Sequence, residues 1–110
     1  MTLREKVLFI CTGNACRSQI AHGLLNDLAS ANFEVFSAGS HPSKVPPISI
    51  AVMEEIGIDI SKHTSDHIDE YFNKGIDIVI TVCDNANNAC PTFPESVKRI
   101  HWSIEDPFRN

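Results

Sequence analysis

The sequence predicts an α/β domain in which a four-stranded, mostly parallel open sheet is flanked by helices. Three observations predict it. Apolar runs of strand length alternate with helical patterns at the spacing of βαβ units. Two of those runs end in segments dense in reactive side chains, at Cys11 and at Cys83, and the carboxyl ends of strands are where open α/β sheets bind ligands. Finally, 110 residues, 43% of them hydrophobic, suffice for one core and leave no room for a second, so residues 1–110 are expected to form a single domain.

Taken in order, Lys6 to Ile10 is the first strand, a short apolar run of the kind buried on both faces. A helix from about Ser18 to Ala29 puts Ile20, Gly23, Leu24, Asp27 and Leu28 near one stripe, mostly apolar and expected to pack on the sheet. Phe33 to Ala38 alternates as a second strand. Pro46-Pro47 prepares a helix start, Ile48 to Ile56 carries apolar positions at helical spacing, and Gly57 ends it as a C-cap. Ser65 or Asp66 is placed to cap a short helix through Tyr71. Ile76 to Val82 reads as a buried third strand that ends at Val82 or Cys83, and Val97 to Trp102 as a fourth. There are no repeats, low-complexity tracts or linkers.

The run Cys11-Thr12-Gly13-Asn14-Ala15-Cys16-Arg17-Ser18 joins the first strand to the first helix. Gly13 and Asn14 tolerate positive φ, so the backbone of Thr12 to Cys16 is expected to curl with its N–H groups inward, and the helix starting near Arg17 adds its positive end. This is a cradle for a tetrahedral oxyanion. Arg17 offers a planar, permanently charged fork to two oxyanion oxygens, and Cys11 lies in line for attack on the central atom. The same donors favour the thiolate, the form that attacks, and Ser18 is placed to give its sulfur one more hydrogen bond. The plainer alternative is a buried structural cysteine at a strand end. Cys16 reads as a small buried loop side chain.

Cys83 and Cys90 follow the third strand, separated by Asp84-Asn85-Ala86-Asn87-Asn88-Ala89. On an intact helix their Cα atoms would lie roughly 10 Å apart, beyond the limit of about 7 Å for a disulfide. Bonding them therefore requires unwinding, which three asparagines, an aspartate and the following Pro91 favour. Two ordinary surface thiols remain the simpler alternative, and a metal site is disfavoured because no Cys-x2-Cys pair is present.

With these motifs in place, the chain resembles the thioredoxin-coupled arsenate reductases, which share the fold of low-molecular-weight protein tyrosine phosphatases. The resemblance runs from about Lys6 to Pro107. It includes Ser37-Ala38-Gly39, Asp59-Ile60-Ser61-Lys62-His63-Thr64-Ser65, and His101-Trp102 followed by Asp106-Pro107. The phosphatase branch usually has a Met-Asp start after the third strand and no cysteine pair, so Cys83 and Cys90 favour the reductase branch. The resemblance implies a phosphotyrosine protein phosphatase I-like fold and a three-cysteine relay. Cys11 would attack arsenate, with phosphate or sulfate as its mimics, and Asp106 would serve as general acid near the leaving oxygen. Cys83 would then attack Cys11, Cys90 would attack Cys83, and thioredoxin would reduce the Cys83–Cys90 disulfide. Asp106 reads equally as a turn-forming residue before Pro107.

Two departures qualify the resemblance. Relatives that bind potassium beside the loop use residues matching Asn14, Ser37 and Asp66 plus a glutamate that matches His22 here, which weakens the expectation of a potassium site; no tightly bound cofactor is expected. Relatives also continue into a final amphipathic helix, whereas this sequence stops at Asn110, so a fold lacking that helix is expected. Two rival functions follow: a phosphatase acting through a Cys11 phosphoenzyme, and a truncated, non-catalytic module that binds an oxyanion or a redox partner.

Composition excludes other classes. No apolar stretch approaches the roughly 18 residues of a membrane span, and the N-terminus lacks a signal-peptide pattern, so a cytoplasmic location is expected. Four cysteines in a reducing compartment read as reactive or buried thiols. A net charge of −5 argues against nucleic acid or an anionic membrane as partner. His63 and His67 read as solvent-facing or capping side chains rather than ligands. Trp102 and Phe108, on either side of Asp106, read as the mouth of the pocket, with core packing an equal reading for Trp102.

Overall fold

The computed structural model describes residues 4–11, 17–39, 44–71, 73–82 and 97–102. Strand β1 (Glu5–Cys11) is followed by α1 (Arg17–Ala29), β2 (Phe33–Gly39), α2 (Pro47–Glu55), a 3-10 turn (Ile68–Tyr71), β3 (Ile78–Thr81) and β4 (Lys98–His101). The sheet order is β2-β1-β3-β4 and all three pairings are parallel. Boundaries expected from the sequence hold to within about two residues, and Asp77 and Val82 extend the β1–β3 pairing by hydrogen bonds to the Lys6 and Ile10 carbonyls.

Every residue of β1 from Val7 to Cys11 is buried, so both faces of this central strand are covered. Around it pack Val35 and Ala38 of β2, Val79 and Val82, and Ile68 and Ile76, which flank the crossover into β3. β4 is the exposed edge: Ile100 is part-exposed, and Trp102 is 58% exposed, which sets aside the core role considered for it. Among the described residues no helix follows β4, and no helix is long and apolar enough to cross a membrane.

The face that α1 buries differs from the stripe the sequence suggests. Its buried residues are Ser18, Gln19, Ala21 and Gly23, with Leu25 packed against the core, whereas Leu28 is 79% exposed. Polar side chains with specific partners override apolar periodicity in this helix. Gly23 explains how α2 comes close: a Cβ there would meet Ile60 Cγ2 at 2.9 Å and Met53 Cε at 3.0 Å. α2 starts at Pro47 and ends as expected at Gly57, whose φ of 79° closes a Schellman motif, with Ile58 N–H on the Met53 carbonyl and Gly57 N–H on the Glu54 carbonyl.

The 3-10 turn is fastened at its start by side chains of its own neighbourhood. Glu70 reaches back to the His67 N–H at 3.0 Å, and His67 Nδ1 accepts the Asp69 N–H at 3.1 Å. Asp66 is engaged elsewhere, as described below.

Candidate active site

Cys11 is the last residue of the central strand, and α1 begins at Arg17, so a free, buried thiol lies at the carboxyl edge of the sheet beside the N-terminus of a 13-residue helix. Its sulfur is 3.0 Å from Ser18 Oγ, and both groups are buried. The first turn of α1 thus brings a hydroxyl and the positive end of the helix dipole beside the sulfur. Arg17, half-buried, opens that turn. Of the other expected site residues, Thr12, Gly13, Asn14, Ala15, Cys16, Cys83, Cys90 and Asp106 lie outside the described residues.

Gln19 has no place in the sequence expectation, yet it is fully buried and hydrogen-bonded at both ends of its amide. Its Nε2 donates to the Thr64 carbonyl at 2.9 Å, and its Oε1 lies 2.9 Å from His63 Nδ1. Because a carbonyl only accepts, the amide must present its NH2 to Thr64 and its oxygen to His63, so His63 Nδ1 carries the proton. One turn along α1, His22 Nδ1 is 2.9 Å from Ser37 Oγ of β2. The rings of His22 and His63 stack with centroids 4.3 Å apart. His63, expected to face solvent or to cap rather than to bind a metal, is part-buried, with its ring held by Gln19 and stacked on His22. The signal available in the sequence was two polar residues, 19 and 22, on the same face of a helix just past the nucleophile.

Burial, reinforced by the neighbouring His63, pushes His22 down to about 4, against a weaker pull upward from Asp66. His63 is lowered by burial, opposed by Asp59. Both rings are neutral at pH 7. Tyr71 is raised by burial and by the hydrogen bond its hydroxyl donates to Asp66 Oδ2 at 3.0 Å. Thr64 Oγ1 also donates to the Asp66 carboxylate, at 3.0 Å to Oδ1, and the Asp66 carbonyl accepts the Gly39 N–H at 2.8 Å.

These contacts bear on potassium. An alkali cation needs a cage of oxygens, whereas Ser37 Oγ is bound by an imidazole and the Asp66 carboxylate already receives two hydroxyls. A neutral ring, stacked on another, stands at position 22. Among the described residues no group of three or more His, Cys, Asp or Glu side chains is arranged to hold a metal ion.

At the other strand ends, the buried Thr81 hydroxyl lies 2.8 Å from His101 Nδ1, across the β3–β4 register, and the Trp102 N–H donates to the Thr81 carbonyl. Cys83 is two residues beyond Thr81 in sequence.

Comparison with known proteins places this geometry in context. The family described as low molecular weight phosphotyrosine protein phosphatase matches residues 6–110. An arsenate reductase of Staphylococcus xylosus is 45% identical over 104 residues, which are 94% of this chain and 79% of the relative. The solved structure of a thioredoxin-dependent arsenate reductase from Corynebacterium glutamicum superposes with a TM-score of 0.83 at 33% identity, covering 98% of this chain and 53% of that one, so this sequence spans about half of that protein. A low molecular weight protein tyrosine phosphatase from T. tengcongensis superposes with a TM-score of 0.80 at 29% identity, covering 94% of this chain and 82% of that one.

Proposed function

The chain belongs to the low molecular weight phosphotyrosine protein phosphatase family, and on that premise we propose that it is an arsenate reductase, converting arsenate to arsenite. One observation carries the chemistry: the free Cys11 sulfur, 3.0 Å from Ser18 Oγ at the N-terminus of α1, is built as a nucleophile toward an oxyanion. The 45% identity to a protein named arsenate reductase, and the presence of Cys83 and Cys90, support reduction over hydrolysis.

Arsenate is bound by Arg17 and the Thr12 to Cys16 run, and the Cys11 thiolate attacks arsenic. One arsenate oxygen leaves as water after taking protons, with Asp106 as the acid, and a Cys11–S–As bond remains. Cys83 attacks the Cys11 sulfur; the S–As electron pair passes to arsenic, which leaves as arsenite, and a Cys11–Cys83 disulfide forms. Cys90 then attacks Cys83, freeing Cys11, and the dithiol of thioredoxin reduces the Cys83–Cys90 disulfide. Phosphate and sulfate occupy the same cradle as mimics. The cycle starts from reduced thiols and so belongs in a cytoplasmic, reducing compartment. It uses no tightly bound cofactor and needs no added potassium. With a net charge of −5, neither nucleic acid nor an anionic membrane is a partner.

The test is arsenite release under multiple turnover with thioredoxin, thioredoxin reductase and NADPH, in parallel with Cys90→Ser. Sustained turnover that collapses to about one cycle in the variant supports the relay. A second reading has a specific basis, since the phosphatase from T. tengcongensis shares the fold and Cys11, Arg17 and Asp106 suffice for phosphomonoester hydrolysis. Cys83→Ser separates the two, abolishing reduction while leaving aryl phosphate hydrolysis intact. Arsenate trapped once per chain in the wild type, without further cycles, would instead indicate a binding module.

A further inference from the structure

Gln19 is the largest fully buried side chain of α1; the helix's other buried residues, Ser18, Ala21 and Gly23, are small. None of the large apolar side chains of α1 is fully buried, so apolar packing does not key its first turn. An amide is a costly choice for such a place. It gives up hydration and rotamer freedom, and only hydrogen bonds at both ends offset the loss. What it supplies in return is direction, because those bonds hold only over a narrow range of distance and angle.

The segment that Gln19 grips is anchored on either side. The carbonyl of the fully buried Ile60 accepts the His63 N–H at 3.0 Å, and the Asp66 carbonyl accepts the N–H of Gly39, the register partner of Cys11, at 2.8 Å. The His63 ring, whose Nδ1 meets Gln19 Oε1, is braced by the His22 ring stacked on it. Gln19 therefore holds α1 against a loop that is itself tied to the strand end beside the nucleophile. Arg17 and Ser18 directly precede it in the same turn, and Ser18 Oγ lies 3.0 Å from the Cys11 sulfur.

We propose that Gln19 is a positioning residue for oxyanion capture: by gripping the 63–64 segment with both ends of its amide, it sets the rotation of the first turn of α1 and so fixes where Arg17 and Ser18 aim. The proposal rests on the reading of Arg17 and Ser18 as donors given above. With both ends of its amide engaged, Gln19 acts through these neighbours and not on the oxyanion. The leverage is large. A hydroxyl a few ångströms from the helix axis moves about 1 Å when the helix turns by about 20°, and misplacement on that scale costs as much as about 100-fold in rate.

The test is sulfate affinity, measured by calorimetry on the full chain at neutral pH and paired with steady-state kinetics on arsenate. Gln19→Met matches the side chain in length and removes both hydrogen bonds. Val79→Ala is the control, since it opens a cavity in β3 and leaves the amide and its partners in place. Gln19→Met is expected to weaken sulfate at least about tenfold and to raise KM for arsenate in proportion, whereas Val79→Ala stays within about twofold of wild type. If Gln19→Met does not fold, His63→Phe decides: it keeps a ring on His22, deletes one of the two bonds, and is expected to weaken sulfate about threefold. Wild-type affinity in the deciding variant overturns the proposal. An equal loss in Val79→Ala also overturns it, by reducing the effect to stability alone. A wild type that binds no sulfate overturns the oxyanion reading instead, and a crystal structure of the deciding variant then judges the positioning. A first turn that has rotated Ser18 Oγ away from the Cys11 sulfur supports it, and a hydroxyl still within hydrogen-bond reach overturns it.

Discussion

The two helices of the described chain are attached in opposite ways. α1 buries polar side chains, Ser18 and Gln19, each with partners, and leaves Leu28 in solvent. α2 leaves Ile48, Val52 and Ile56 in solvent and buries Met53, with Ser49 Oγ finding no partner among the described residues. One helix is located by hydrogen bonds that specify angle and register, the other by shape, through Met53 set against the missing side chain of Gly23. Hydrogen bonds of this kind cost heavily when half-broken, whereas shape contacts tolerate change on the far side of the helix. The precision lies in the helix that begins beside Cys11.

The sharpest way to break the contrast is Ser18→Ala, which removes the donor to the Cys11 sulfur and little volume. kcat for arsenate reduction is expected to fall about 100-fold, far more than the accompanying stability loss of about 1 kcal/mol would explain, as read by steady-state kinetics and calorimetry. Gln19→Leu comes next. It strands the Thr64 carbonyl and the His63 Nδ1–H in a buried site, and urea unfolding should show a loss of about 1 to 3 kcal/mol.

Acid provides a third, smaller handle. The folded-state pKa of His22 lies below its unfolded value, about 4 against 6.5, so between those values the unfolded chain holds more protons. Stability attributable to His22 is therefore intact above about 6.5, declines as the pH falls toward about 4, and is level below that. Urea midpoints measured across this interval should show the decline, and His22→Phe should flatten it. The smallest effect is expected on the other helix: Val52→Lys and Ile56→Lys change unfolding free energy by no more than about 0.5 kcal/mol, seen as superimposable denaturation curves.

Much of the architecture was legible because the strands are short apolar runs buried in a parallel sheet, and such runs announce themselves locally. The Cys11–Ser18 contact was also legible, since strand, nucleophile and helix follow one another within a few residues. The buried face of α1 was not. Apolar spacing selects Leu24 and Leu28, but the helix turns Ser18 and Gln19 inward to satisfy partners that sequence periodicity does not register. The His22–His63 stack was hidden for a different reason. It exists only once the loop after α2 folds back over α1, and nothing near either histidine in sequence signals the other. The roles expected of Cys83, Cys90 and Asp106 fall outside the described residues.

The strand order carries a consequence for assembly. β1 pairs with β2 through residues such as Val7 and Val35, and with β3 through Val7 and Ile78, so its second neighbour comes from far along the chain. Parallel partners cannot be joined by a hairpin and must wait for their crossovers, which makes closure of the central strand a late, non-local event. Cys11 stands at the end of that strand. Burial of the Cys11 sulfur thus depends on pairings made far apart in the sequence, although its contact with Ser18 is local.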